Sequence, residues 1–210
     1  MEIRLLAGEH VIGQGLELVG PAFSGVSICG EGIKETQLTG GTLVVIDTGG
    51  GAPFCLEGVT LTNPNGNGLY IEGHNSPCSV RLASCVISDC EGDGVYTYGS
   101  RASLELVDSL VLRNGHTGVV ARGDGVRVRI SGASSRIHSN GRCGLFSAYR
   151  GSIIKVSGLG TKPAFTRQAE DGRRYFSGVI TSALFSATQA HPNKEGDAVE
   201  FGSGSVVFAP

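Results

Sequence analysis

Short apolar runs, each closed within a few residues by Gly, Asn, Asp or Ser, recur along the first three quarters of this chain. From Leu56 to Val156 they fall into a register. Asn67-Gly68-Leu69-Tyr70-Ile71 returns as Asp93-Gly94-Val95-Tyr96-Thr97. It returns again as Thr117-Gly118-Val119-Val120-Ala121 and as Cys143-Gly144-Leu145-Phe146-Ser147. A fixed period of this size outranks any local reading, because it marks a chain built from stacked copies of one unit.

Each copy holds three segments. The first runs Gly58–Thr62, Ser84–Ser88, Asp108–Leu112 and Ser134–His138. The second is the glycine-led segment, and the third runs Ser79–Leu82, Ser103–Leu106, Arg127–Ile130 and Ile153–Val156. The gaps between segments are too short for crossover helices, so consecutive copies must stack in parallel as coils. Alternation within each segment assigns the faces. Leu61, Ile87, Val111 and Ile137 point inward, as do Leu69, Val95, Val119 and Leu145, and Leu56, Leu82, Leu106 and Ile130. Arg81, Glu105 and Arg129 form an outward row of alternating sign. Asn114 and Asn140 share one corner register, which predicts a hydrogen-bonded ladder. The expected fold is all-β: a parallel solenoid with three short strands per coil and about five to seven coils.

Residues 1–50 read as irregular opening coils and 56–156 as the regular repeats. Residues 157–210 read as degenerate last coils with an insertion and an irregular C-terminal cap. There Tyr175–Ile180 and Ala198–Phe201 resemble strands, and Ala183–Ala190 suits a short helix or loop. Because residue 1 already reads as strand, an uncapped first coil is expected, which points to a shortened chain or a partner at that end.

Composition narrows the picture. Gly is abundant (34 residues) without a Gly-X-Y period, which excludes collagen, and 40% hydrophobic residues exclude a disordered chain. A formal net charge of -2 argues against a nucleic-acid partner. No apolar run is long enough for a membrane span. The first residues are too short and polar a stretch for a secretory signal, which favours an intracellular or organellar location. The six cysteines lack metal-binding spacing and read as small buried hydrophobes; a disulfide such as Cys78 with Cys90 would need export. His10, His74, His116, His138 and His191 are scattered, His138 reads as a surface residue, and no metal is expected.

Repeated Asn/Asp-Gly-Val-Tyr strands alternate with corners such as Val86-Ile87-Ser88-Asp89-Cys90-Glu91-Gly92. Together with Val26–Gly32 and Thr36, they resemble the right-handed parallel β-helix repeats of the pectin-lyase-like superfamily over about residues 20–156. Similar repeats occur in copper-maturation proteins, alginate epimerases and F-box-associated β-helix domains. The resemblance implies a right-handed coil. It leaves function open, since lyases, hydrolases, epimerases and non-catalytic scaffolds share that coil.

Function is sought where stacking does not dictate the residue. The outward row of the glycine-led segments is Tyr70, Tyr96, Val120 and Phe146, with Glu72, Tyr98, Arg122 and Ala148 beside it and His74, Asp124 and Arg150 at the following bend. Such a row suits a protein-interface anchor, a sugar platform, or a surface covered by the chain's own tail. Glycoside hydrolysis needs two placed acids, for which Glu72, Asp93 and Asp124 are candidates. A lyase-like site would add calcium and a basic residue, Arg122 or Arg150. Asp93, however, precedes Gly94 at a corner, where Asp is an ordinary turn residue, and the epimerase-like Asp-Pro-His tripeptide is absent. The expectation is a non-catalytic scaffold or interaction module, without a cofactor, that binds a protein partner within a larger assembly. The alternative is a β-helix that binds or cleaves an acidic polysaccharide.

Overall fold

The computed structural model describes residues 1–148 and 152–157, and the backbone of strands Gly196–Phe201 and Ser205–Phe208. Parallel strands wind through six complete turns, and three sheets run the length of the molecule. The first sheet stacks Gly8–Val11, Thr36–Thr39, Thr60–Thr62, Val86–Ser88, Leu110–Leu112 and Arg136–His138. The second stacks Gly15–Val19, Thr42–Ile46, Leu69–Glu72, Val95–Tyr98, Val119–Arg122, Cys143–Ala148 and Gly196–Phe201. The third stacks Glu2–Arg4, Ser27–Cys29, Phe54–Glu57, Cys78–Ala83, Ala102–Val107, Arg127–Ser131, Ile153–Val156 and Ser205–Phe208.

The twelve inward positions expected from alternation are all buried, none more than 2% exposed. Each lies beside its counterpart one coil away: Ile87 with Leu61 and Val111, Val95 with Leu69 and Val119, Leu82 with Leu56 and Leu106. Like side chains thus stack at the interstrand spacing of about 4.8 Å, and a coil gains its core only from its neighbours. Among the described residues, the exposed large hydrophobics Met1, Ile3, Leu6, Val11 and Val19 all lie on the first turn, whose strands have a coil on one side only.

Corners are built from polar side chains that serve the next backbone. Between the first and second sheets, Asp89, Arg113 and Ser139 each take a positive φ of 55–58°, and the residue that follows turns inward. Those residues are Cys90, Asn114 and Asn140, all buried. The Asn114 amide donates to Asn140 Oδ1 at 2.9 Å and to the Ile87 carbonyl at 3.3 Å. Asn114 Oδ1 accepts from the Cys90 N–H, and Asn140 Oδ1 from the Asn114 N–H. The expected ladder is present, with Cys90 occupying the rung below.

The glycine that opens each second-sheet strand has a steric cause. A Cβ on Gly94 would lie 2.7 Å from the Gly118 carbonyl oxygen and 2.7 Å from Asn114 Nδ2, and one on Gly118 would meet Gly144 and Asn140 in the same way. Coil-to-coil approach, rather than a left-handed backbone, excludes any side chain there.

Along the outward charged row, Arg81 donates to Glu105 at 2.6 Å, while no bond joins Glu105 to Arg129. All six cysteines are free, Cys78 and Cys90 included; Cys78, Cys85, Cys90 and Cys143 are buried, and Cys29 and Cys55 are half-buried on the third sheet. Burial pushes the Cys85 and Cys90 thiols up to about 11, so both stay protonated and behave as apolar filler. Strand Gly196–Phe201 contains the expected Ala198–Phe201 segment. Tyr175–Ile180 and Ala183–Ala190 lie outside the described residues. No helix among the described residues is long and apolar enough to cross a membrane.

Candidate functional site

The outward face of the second sheet carries the aromatic row in the register read from the sequence: Val44, Tyr70, Tyr96, Val120 and Phe146 in one line, Ile46, Glu72, Tyr98, Arg122 and Ala148 in the next. Strands one spacing apart bring equivalent rings together. Tyr70 and Tyr96 stack with centroids 5.6 Å apart and planes within 7°. Tyr98 leans on Tyr96 at 6.4 Å and receives His74 edge-on at 4.8 Å.

The hydroxyls are held as firmly as the rings. Tyr70 donates to Glu72 Oε2 at 2.8 Å, and Arg122 donates to the Tyr96 hydroxyl at 2.9 Å. Burial and the Glu72 carboxylate both raise the Tyr70 phenol above its ordinary value, so it stays a donor at all physiological pH. His74 Nε2 stands 3.9 Å from Glu72. The result is a ridge of three tyrosines, half-buried and fixed by their own neighbours.

Val120 departs from the expected surface. It lies in the outward row but is only 3% exposed. Its strand neighbours in that row, Tyr96 and Phe146, are both much larger. Ala148 is 5% exposed. The accessible tyrosines of the face are therefore Tyr70 and Tyr96 of this row and Tyr98 of the next, with Phe146 half-buried beyond the Val120 gap.

The acids do not gather. Glu72 is engaged by Tyr70. Asp124 is exposed on the bend after the Val119–Arg122 strand. Between Glu72 and Arg122 lies the whole Tyr98 strand, which separates their backbones by about 10 Å. Asp93 sits at the corner, where its carboxylate accepts the Thr117 N–H at 2.8 Å, just as Asn67 one coil earlier accepts the Asp93 N–H at 2.8 Å. Burial raises its pKa, opposed by the Thr117 hydrogen bond and by the charges of His116 and Arg142. This is a backbone cap, the turn role that its place before Gly94 predicts. Arg150 lies outside the described residues. Among the described residues no three His, Cys, Asp or Glu side chains converge on a cation site. His138 is half-buried, with Nδ1 3.0 Å from the Ser139 hydroxyl.

The sequence reading did not foresee the His74 contact with Tyr98 and Glu72. Its signal was present: His74 follows Glu72 by two residues, at the bend after the Leu69–Glu72 strand, and Tyr98 pairs with Glu72 one coil on.

A family model described as a right-handed beta helix region matches residues 29–158. The chain belongs to the right-handed β-helix family. The match spans the coils from the second turn to the last regular strand, so the hand of the β-helix agrees with the resemblance read from the repeats. No curated protein and no solved structure gives a significant match. Membership in the β-helix family fixes the coil and leaves its surface to be read from the residues themselves.

Proposed function

We propose that this β-helix is a non-catalytic interaction module whose tyrosine ridge docks a protein partner. The observation that carries this reading is the Tyr70–Tyr96 stack. A sugar ring binds to the open face of an aromatic side chain, but here the two rings turn their faces to each other. What remains outward is ring edges, hydroxyls and the Tyr98–His74 pair. Such a surface is suited to protein, where preordered Tyr anchors cost little entropy on binding. The dispersed acids add support, since glycoside hydrolysis would need two at a set separation.

The test is purification of the tagged chain from its native source, alongside a Tyr96→Ala, Tyr98→Ala variant that retains its β-sheet circular dichroism. A stoichiometric protein partner should accompany the wild type and be lost from the variant. A tenfold loss of binding to an acidic polysaccharide on Tyr96→Ala would overturn the reading.

A second reading rests on the third sheet. Arg127, Arg129 and Lys155 are exposed on adjacent strands of its outward face, with no carboxylate bonded to them among the described residues. That cationic patch would suit an acidic polysaccharide. Binding of a uronate polymer that falls when Arg129→Ser and Lys155→Ser are combined, with or without calcium-dependent cleavage, would favour it.

A further inference from the structure

Four Asn-Gly pairs occur in the chain: Asn65-Gly66, Asn67-Gly68, Asn114-Gly115 and Asn140-Gly141. This dipeptide carries a reactivity of its own. The glycine amide nitrogen can attack the asparagine side-chain carbon, since no side chain shields it. The new N–C bond closes a succinimide, the carboxamide nitrogen leaves as ammonia, and water then opens the ring to aspartate or isoaspartate. The step needs two freedoms: the side chain must swing toward the backbone, and the glycine N–H must be free to turn.

The solenoid removes both at three of the four sites. Asn67 holds the Asp93 N–H through Oδ1, and the Gly68 N–H donates to the Asp93 carbonyl at 3.1 Å. Asn114 is locked in the ladder, and the Gly115 N–H donates to the Cys90 carbonyl at 2.7 Å. Asn140 is bound through Nδ2 to the Val111 carbonyl at 3.3 Å, and the Gly141 N–H donates to the Asn114 carbonyl at 2.7 Å.

Asn65 differs on each count. It is exposed, its side chain makes no hydrogen bond, and its backbone N–H donates to Asn63 Oδ1 at 3.0 Å. No hydrogen bond holds the Gly66 N–H. We infer that, of the four Asn-Gly pairs, Asn65-Gly66 is the one at which the folded protein deamidates, placing a new carboxylate on the corner between the first and second sheets.

Peptide mapping of the full chain after incubation at mildly alkaline pH tests this. Folded protein should gain one mass unit at Asn65, with isoaspartate detectable by enzymatic methylation, and a more acidic species should grow on anion exchange. Asn67, Asn114 and Asn140 should lag Asn65 at least tenfold in the folded state and lose that protection in denaturant. Gly66→Ala, which places a Cβ 3.3 Å from Asn63 Nδ2, should slow the change at Asn65 by at least tenfold. Equal rates at Asn65 and Asn114 in the folded protein, or an unchanged Asn65 in folded protein that deamidates when unfolded, would overturn the inference.

Discussion

The buried amides of Asn114 and Asn140 are joined at 2.9 Å across one coil spacing, and each also holds a carbonyl of the coil before it. Removing one member strands several buried groups together. Asn114→Leu leaves the Cys90 N–H and the Ile87 carbonyl without their side-chain partner, at roughly 1–3 kcal/mol for each group. Chemical denaturation should therefore show a loss of about 2–6 kcal/mol. A loss below 1 kcal/mol would mean that water replaces the ladder.

The rung below Asn114 is vacant of amide, and Cys90 fills it. Cys90→Asn extends the ladder by one member in a slot of matching shape, since Gly68 faces Cys90 Sγ as Gly94 faces Asn114 Nδ2. The expected gain is about 1 kcal/mol, the usual net value of an added hydrogen bond. A raised melting temperature would register it.

Gly94 has no space for a methyl group. Gly94→Ala should cost about 1–3 kcal/mol by overpacking against the Gly118 carbonyl and Val111. Ala at Gly50, whose new Cβ would meet nothing nearer than Pro77 at 3.8 Å apart from its adjacent residues, should change stability little. Equal effects of the two substitutions would contradict the steric account.

Thr97 is fully buried between Ile71 and Ala121 in the inward row, and its hydroxyl has no partner. A buried hydroxyl without a hydrogen bond costs free energy that a methyl group does not. Thr97→Val keeps the shape and removes the penalty, so unfolding should require about 1 kcal/mol more. A destabilised variant would indicate a bound water or an unseen partner.

The Asp93 pKa is raised by burial. A raised carboxyl pKa means that the folded state holds its proton more tightly than the unfolded chain. Its contribution to stability is therefore complete below the ordinary aspartate value and is lost as pH rises through the folded value. Asp93→Asn retains an oxygen for the Thr117 N–H, as Asn67 does one coil earlier for Asp93. The variant should match the wild type in acid and exceed it at neutral pH. A difference that does not vary with pH would show that Asp93 contributes packing alone.

What the sequence determined alone was the coil. A solenoid repeats each local environment, so Leu61, Ile87, Val111 and Ile137 carry the same instruction four times, and period and alternation suffice to place them. The ladder from Asn114 to Asn140 was legible for the same reason. Tertiary structure decided whatever depends on the size of a neighbour rather than on register. Val120 has the outward register of Tyr96 and Phe146 but lies buried in their row, and no repeat encodes that. Nor could the sequence tell that Tyr70 and Tyr96 would spend their ring faces on each other, or that Gly66 alone among the glycines of four identical dipeptides would keep its backbone amide free. Those outcomes depend on which atoms of adjacent coils meet, and a repeat specifies the spacing between coils without specifying how unlike side chains share it.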